Sequence, residues 1–323
     1  MEIIESIESL ERLGAGCAIS IGNFDGVHLG HQRIIKEAQN ATRYAGVKVL
    51  TVITFDPHPA AILHAGRAPQ ALTPLPLKKH LLQKFGVDRL ILLKSTFDLF
   101  NLSPADFVDE FLMKRIGPKV IVEGPNFHFG YGRSGNAQTL KDLGTTRGFD
   151  VVIVPAKEIK TGDSLFTCSS STVRSFLEEG AVAKAKAALG RSYRLIGPTV
   201  GGRGVGTKIG FPTVNIEPID QIVPAEGVYA GFVETGEIMA DVSNPGWVRP
   251  AAISIGRAKT FVSNHPLMVE AHILEAGIGD LSGKWLAMDF VERIRTQKRF
   301  QTKEQLSTQI AKDCDTAKKL LSG

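Results

Sequence analysis

The sequence predicts a chain in two parts: an α/β domain built on a parallel sheet with helices on both faces, followed by a small antiparallel β-barrel with a C-terminal helix. Three observations carry that expectation. In the first half, short Val- and Ile-rich runs alternate with stretches of helical periodicity, the sign of strands joined by crossover helices. Glycine and proline then become dense from Gly190 to Pro218. Beyond them, strand-like runs follow one another across Gly, Asn, Asp and Pro turns, with no helical period until Thr302–Leu321.

Taken in order, Cys17–Ile21, Val47–Thr54, Arg89–Leu93, Lys119–Val122 and Val151–Val154 are apolar runs closed by Gly, Pro or Asp, as buried strands are. Between them Gln32–Tyr44, Leu77–Phe85 and Ala105–Lys114 carry apolar residues at three- and four-residue spacing. The last has Ser103 as its cap and Pro104 at its first position. Ser169–Glu179 and Ala181–Leu189 read as two helices broken at Gly180, which places a domain boundary near 187–192. Tyr193–Val200, Gly227–Val233, Pro250–Ile255, Leu267–Leu274 and Lys284–Ile294 are the barrel strands.

Composition narrows the function. A length of 323 residues suits two domains, and 43% hydrophobic with 22% charged residues excludes disordered and fibrous classes. Cys17, Cys168 and Cys314 stand far apart without a C-x-x-C pair, so neither a disulfide framework nor a zinc site is expected, and a reducing, cytoplasmic setting is. No apolar run approaches ~18 residues, so no membrane partner is expected. The 38 basic residues are spread among 33 acidic ones, for a net charge of +5. That balance suits anionic ligands, while the lack of a dense basic run and an aromatic content of 7% argue against nucleic acid.

The most informative stretch is Ser20–His31, SIGNFDGVHLGH, where an apolar run ends in glycine and His28 and His31 stand at the start of a helix. Ligands of open α/β sheets bind beyond the carboxyl ends of strands, where a helix N-terminus offers N–H groups to an anion. Imidazoles at i and i+3 share one face and can donate to a phosphate and to the charge that grows on it during displacement. Alone, an H-x-x-H pair is as readily a coincidence or half a metal site. Pro57–Pro59 and Gly124–Gly130 also follow predicted strands, so three loops converge on one rim.

SIGNFDGVHLGH, TFDPHP at Thr54–Pro59, GPNFHFG at Gly124–Gly130 and CSSSTVR at Cys168–Arg174 together resemble the FMN adenylyltransferase module of bacterial bifunctional riboflavin kinase/FAD synthetases. The resemblance implies a Rossmann-like nucleotidyltransferase domain over 1–187. In it His28 and His31 stabilise the transition state, and Gly22, Asn23, Phe24, Asp25 and Gly30 lie at the ATP phosphates. Phe55, Pro57, His58, Asn126, Phe127 and Phe129 would line the nucleotide and flavin pockets. Ser169, Ser170 and Ser171 begin a predicted helix one turn before Arg174, an arrangement that leaves N–H groups for a phosphate. Ser171 stands where the family usually has threonine, and Asn126 where aspartate is frequent.

The second half carries its own phosphate signature. Gly201–Gly206, GGRGVG, has four glycines in six residues, as in a loop whose backbone closes on phosphate. It is not a Walker A loop, because Thr207 precedes Lys208. In GFPTVN, Thr213 and Asn215 face one side of a strand as two oxygen donors, which suits Mg²⁺; a polar solvent-facing strand would read the same way. Glu270, in VEAHIL, is a carboxylate among apolar strand residues and needs a partner or a task. His272 shares its face and reads as structural.

GFPTVN, PAEGVYAG at Pro224–Gly231 and VEAHIL resemble, in the same order, the riboflavin kinase module of the same enzymes. The resemblance implies a kinase domain over 188–323, with ATP at Gly202, Gly204, Gly206 and Lys208, Mg²⁺ at Thr213 and Asn215, and Glu270 as base. Ser254 and Lys259 stand where the family commonly has asparagine and proline. Riboflavin, FMN, FAD and ATP are the implied partners. Two other readings remain open: a nucleotidyltransferase for another phosphorylated acceptor with a flavin-binding, non-catalytic barrel, and a non-catalytic flavin-responsive module.

Overall fold

The alternating pattern of the first half folds as a six-stranded sheet in a computed structural model that describes residues 1–5, 16–63, 68–162, 164–202, 205–257, 267–275 and 279–322. Its strands are β1 (Glu2–Ile4), β2 (Ala18–Ile21), β3 (Leu50–Phe55), β4 (Arg89–Leu93), β5 (Val120–Glu123) and β6 (Asp150–Ile153). The spatial order is β1-β4-β3-β2-β5-β6, and every neighbouring pair is parallel. From β2 the chain moves outward through β3 and β4, then returns to the other side of β2 for β5 and β6. The switch point therefore lies between β2 and β5, where a crevice opens beyond the strand ends.

Helices α1 (Leu29–Tyr44), α2 (Leu75–Lys84), α3 (Pro104–Asp106, continuing with π-helical turns through Phe107–Ile116) and α4 (Ala137–Arg147) connect the strands. Ser103 caps α3 by accepting the Asp106 N–H, and Pro104 occupies the first turn as its missing N–H allows. The core between sheet and helices is built from Ile19, Ile21, Ile53, Ile91, Phe107, Phe111 and their neighbours. Strand β1 and helix α4 add to the elements expected from sequence, as does a two-stranded ribbon of Glu158–Thr161 and Ser164–Thr167.

The second half is a closed antiparallel barrel of β7 (Tyr193–Val200), β8 (Val214–Ile216), β9 (Gly227–Gly236), β10 (Arg249–Arg257), β11 (Leu267–Ile273) and β12 (Trp285–Arg295), in the order β7-β8-β11-β10-β9-β12. The C-terminal helix, Lys303–Leu321, lays Cys314 and Ala317 on Ala230 and Ala252 of two adjacent strands. Small residues on both sides let the helix approach closely.

By contacts the chain divides into two compact units, Met1–Pro69 with Lys78–Glu158, and Gln70–Leu77 with Ile159–Gly323. Helices α5 (Ser170–Glu178) and α6 (Val182–Leu189) thus group with the barrel, although α5 and most of α6 precede residue 188. The reason is local: Ala225 N donates to Leu177 O, Arg293 to Glu179 O, and α6 packs on β7 and β12.

Candidate active sites

In the first unit, β2 ends at Ile21 and the chain turns through Gly22–Val27 into α1. The turn is strained, with Phe24 at φ 46° and Val27, a β-branched residue, at φ 39°. Such backbone persists where its surroundings fix it, and functional sites collect it. Gln32 holds the loop by donating to Val27 O at 2.8 Å. Asp25 and His28 are buried beneath it.

His28 is the N-cap of α1, and its Nδ1 accepts the His31 backbone N–H at 3.4 Å. The neutral ring therefore carries its proton on Nε2 as a donor. The two imidazoles stack with centroids 3.7 Å apart, and Phe24 lies 5.0 Å from His31. Burial first, then the charges of His28 and Lys78, holds the His31 pKa well below the usual imidazole range. His31 Nδ1 and Asn23 Oδ1 are buried atoms with no hydrogen-bond partner in the protein. Two unmet polar atoms, one in the turn and one in the first turn of α1, are what a site built for a polar ligand leaves behind.

The sheet order β3-β2-β5 brings the other two expected loops beside this turn. His58 Nε2 lies 2.9 Å from Asn23 Nδ2, and Thr54 Oγ1 donates to Asn23 O at 3.1 Å. Pro57 is exposed and its carbonyl accepts from Ser95, while the half-buried Phe55 packs 6.2 Å from Phe100. After β5, Asn126 is exposed and Phe127 is half-buried. Phe129 stacks on Phe127 at 5.5 Å, but it is buried in the core against Phe107. Glu123, which closes β5, was missed from sequence. Its buried carboxyl accepts the Ile21 N–H at 2.5 Å where β2 and β5 part, and burial pushes its pKa well above the usual range.

Ser169 Oγ caps α5, accepting the Thr172 N–H at 3.1 Å, with Ser170 and Ser171 in the first turn. Arg174 Nε donates to Gln70 O. These residues belong to the second unit, as does Gln70.

In the barrel, β8 and β11 pair with Asn215 opposite Glu270, which sets Thr213 opposite His272 one step further on. Four polar side chains thus form a square on one face. Thr213 Oγ1 donates to Glu270 Oε2 at 3.1 Å, and His272 Nδ1–H donates to Pro212 O at 2.8 Å, fixing the turn before β8. Asn215 Oδ1 is buried without a partner. The backbone of Gly202 passes so close to the Asn215 amide that a Cβ there would collide with it, and a Cβ on Gly206 would strike Phe211 O. Gly204 lies outside the described residues, as do Lys259 and the side chain of Lys208.

Two cavities meet at this square. One, of about 300 Å³, has apolar walls from Phe211, Met268, Phe300, Leu306 and Ile310. The other, of about 690 Å³, runs along Thr199–Gly202 and Gly279–Gly283. Thr213, Asn215 and His272 line both, and Glu270 faces the apolar one. The sequence reading missed the far wall. There Gln297 donates to Ser254 Oγ and Ile255 O, and Arg295 pairs with Asp313 of the C-terminal helix at 2.7 Å. Ser254 lies directly opposite Glu270 across β10 and β11.

The family model for FAD synthetase matches residues 11–167, and that for riboflavin kinase matches residues 189–321. A bifunctional riboflavin kinase/FMN adenylyltransferase of Escherichia coli strain K12 is 32% identical over 319 residues, covering 98% of this chain and 97% of the relative. One from Pseudomonas fluorescens is also 32% identical, covering 99% and 98%. A crystal structure from Streptococcus pneumoniae, titled a macrolide-efflux protein, superposes with a TM-score of 0.84 at 26% identity over 98% of this chain and 99% of that one. With one matched segment holding the histidine turn and the other the Thr213–Glu270 square, the chain belongs to the bifunctional riboflavin kinase/FMN adenylyltransferase family.

Proposed function

We propose that the chain phosphorylates riboflavin to FMN in the barrel and adenylylates FMN to FAD at the sheet, consuming ATP in each step. The observation that carries this is the presence in one chain of two separate sites with unmet buried polar atoms: the stacked His28–His31 pair beside Asn23, and Asn215 at the meeting of two cavities.

In the barrel, the apolar cavity suits the isoalloxazine ring and the glycine-rich one the nucleotide, so the riboflavin 5′-hydroxyl and the γ-phosphate would meet at the square. Glu270 accepts the hydroxyl proton as the oxygen attacks, ADP leaves, and Thr213 holds the carboxylate through its hydroxyl. The donor set fits Mg²⁺: Asn215 Oδ1 is unmet and hard, and among the described residues no cluster of three His, Cys, Asp or Glu could cage a metal alone. Mg²⁺ keeps water and substrate phosphates as most of its ligands. Bound at Thr213 and Asn215, it would neutralise charge on the phosphates.

At the sheet, a phosphate oxygen of FMN attacks the α-phosphorus of ATP and pyrophosphate leaves. His28 Nε2–H donates to the oxygens on which charge gathers, and His31, kept neutral by burial, completes the pair. Gly22–Asp25 and Gly30 surround the phosphates at the helix N-terminus. Phe55, Pro57, Asn126 and Phe127 face the base and flavin. We assign adenylyl transfer to 1–187 and phosphorylation to 188–323. The three cysteines are free and buried, which suits a reducing cytoplasm, and neither nucleic acid nor membrane is needed.

Flavin chromatography after incubation with ATP and Mg²⁺ tests this, starting from riboflavin in one tube and FMN in another. FAD is expected in both. FMN left unconverted in the second tube would refute the adenylyl assignment, and riboflavin left unconverted in the first would refute the kinase.

A further inference from the structure

One contact in the first site sets two donors against each other. His58 Nδ1 accepts the Ala60 backbone N–H at 3.1 Å, so the proton of the neutral imidazole sits on Nε2. Nε2–H can only donate, yet the atom 2.9 Å away is Asn23 Nδ2, also a donor. Meanwhile Asn23 Oδ1, an acceptor, is buried with no partner. Turning the amide over removes both conflicts and moves no other atom, since the oxygen and nitrogen of a carboxamide exchange nearly equivalent positions. Oδ1 then accepts from His58, and the NH₂ group takes the buried, unmet position.

We propose that His58 is a positioning residue: its Nε2–H, directed by the Ala60 N–H on the opposite side of the ring, fixes the Asn23 amide so that its NH₂ points at a phosphate oxygen of ATP. Thr54 Oγ1 anchors the Asn23 backbone at the same time, and His58 holds the amide at the end of the side chain. An unmet buried donor favours an oxygen ligand over an empty site, because only an acceptor relieves it. His58 then acts through Asn23 rather than on flavin or nucleotide. The proposal rests on reading this site as the adenylyl-transfer centre and adds to it the origin of the donor's direction.

Three substitutions and one spectrum test it. Glutamine places an amide N–H where Nε2 stood, so His58→Gln keeps FAD formation from FMN close to wild type. His58→Phe keeps the ring and loses the donor, lowering kcat about 10- to 100-fold while the KM for FMN holds. His58→Glu offers only acceptors, turns the amide oxygen toward the phosphates, and loses at least as much. Riboflavin phosphorylation by the same preparations reports an intact fold. In ¹⁵N-histidine-labelled enzyme, the signal missing from His58→Phe shows a protonated Nε2 and a bare Nδ1. A phenylalanine variant as fast as wild type, a glutamine variant as slow as phenylalanine, or a proton on Nδ1 would overturn the proposal. Wild-type enzyme that made no FAD from FMN would sink the adenylyl reading instead, and the tautomer would still decide the role of His58.

Discussion

A buried carboxyl with a hydrogen-bond task is the least expected group in the sheet. Glu123 accepts the Ile21 N–H at the point where β2 and β5 separate, and burial favours its neutral form. Its folded pKa is raised, so in the unfolded chain it ionises first. The energetic cost of keeping it protonated is absent below the unfolded value near 4.3, and it grows as pH rises from there toward the folded pKa. Glu123→Gln keeps an oxygen for Ile21 without that cost. We expect Tm to rise by several degrees at pH 7 and the gain to vanish near pH 4, measured by thermal scans at both. An equal gain at both pH values would show that ionisation is not the cause. His28 and His31 were legible in sequence because their spacing and the glycines before them describe a loop entering a helix. Glu123 was not, because a glutamate closing an apolar run reads as a polar terminus until the neighbouring strand is known.

Between residues and domains, the glycine loop before β8 shows how an element holds a side chain. Gly202 lies against the Asn215 amide with no room for a Cβ, so Gly202→Ala displaces the amide proposed to hold Mg²⁺ while leaving the barrel strands paired. Since small misplacements of reacting groups are expensive, riboflavin phosphorylation should fall about 10- to 100-fold. FAD formation from FMN should be unchanged and Tm lowered by only a few degrees. A kinase rate equal to wild type would mean that Asn215 does not depend on this contact. Strand and helix assignments from periodicity succeeded where one face is apolar, as in α1, and failed where packing replaces side chains. Helix α4 buries Leu140, but one turn on it carries Gly144 close against Phe149, so its apolar stripe is interrupted. Strand β1 is three residues long, too short for a period to show.

For the whole chain, the succession of parallel sheet and barrel could be read from alternation and turns. The allegiance of α5 and α6 could not, because an apolar stripe says that a helix face is buried without saying against what. Two sites in two compact units make a kinetic prediction that neither unit makes alone. His31→Ala removes one of the paired imidazoles and should stop the reaction at FMN. Glu270→Ala removes the proposed base, which should slow riboflavin phosphorylation about 10²- to 10⁴-fold while leaving FAD formation from supplied FMN intact. FMN is the product of one site and the substrate of the other, so an equimolar mixture of the two variants should convert riboflavin to FAD after a lag in which FMN accumulates. Chromatographic time courses read both the lag and the final flavin. A mixture that stalls at FMN, with each variant active in its own half-reaction, would mean that FMN made in the barrel is not released from the chain that made it.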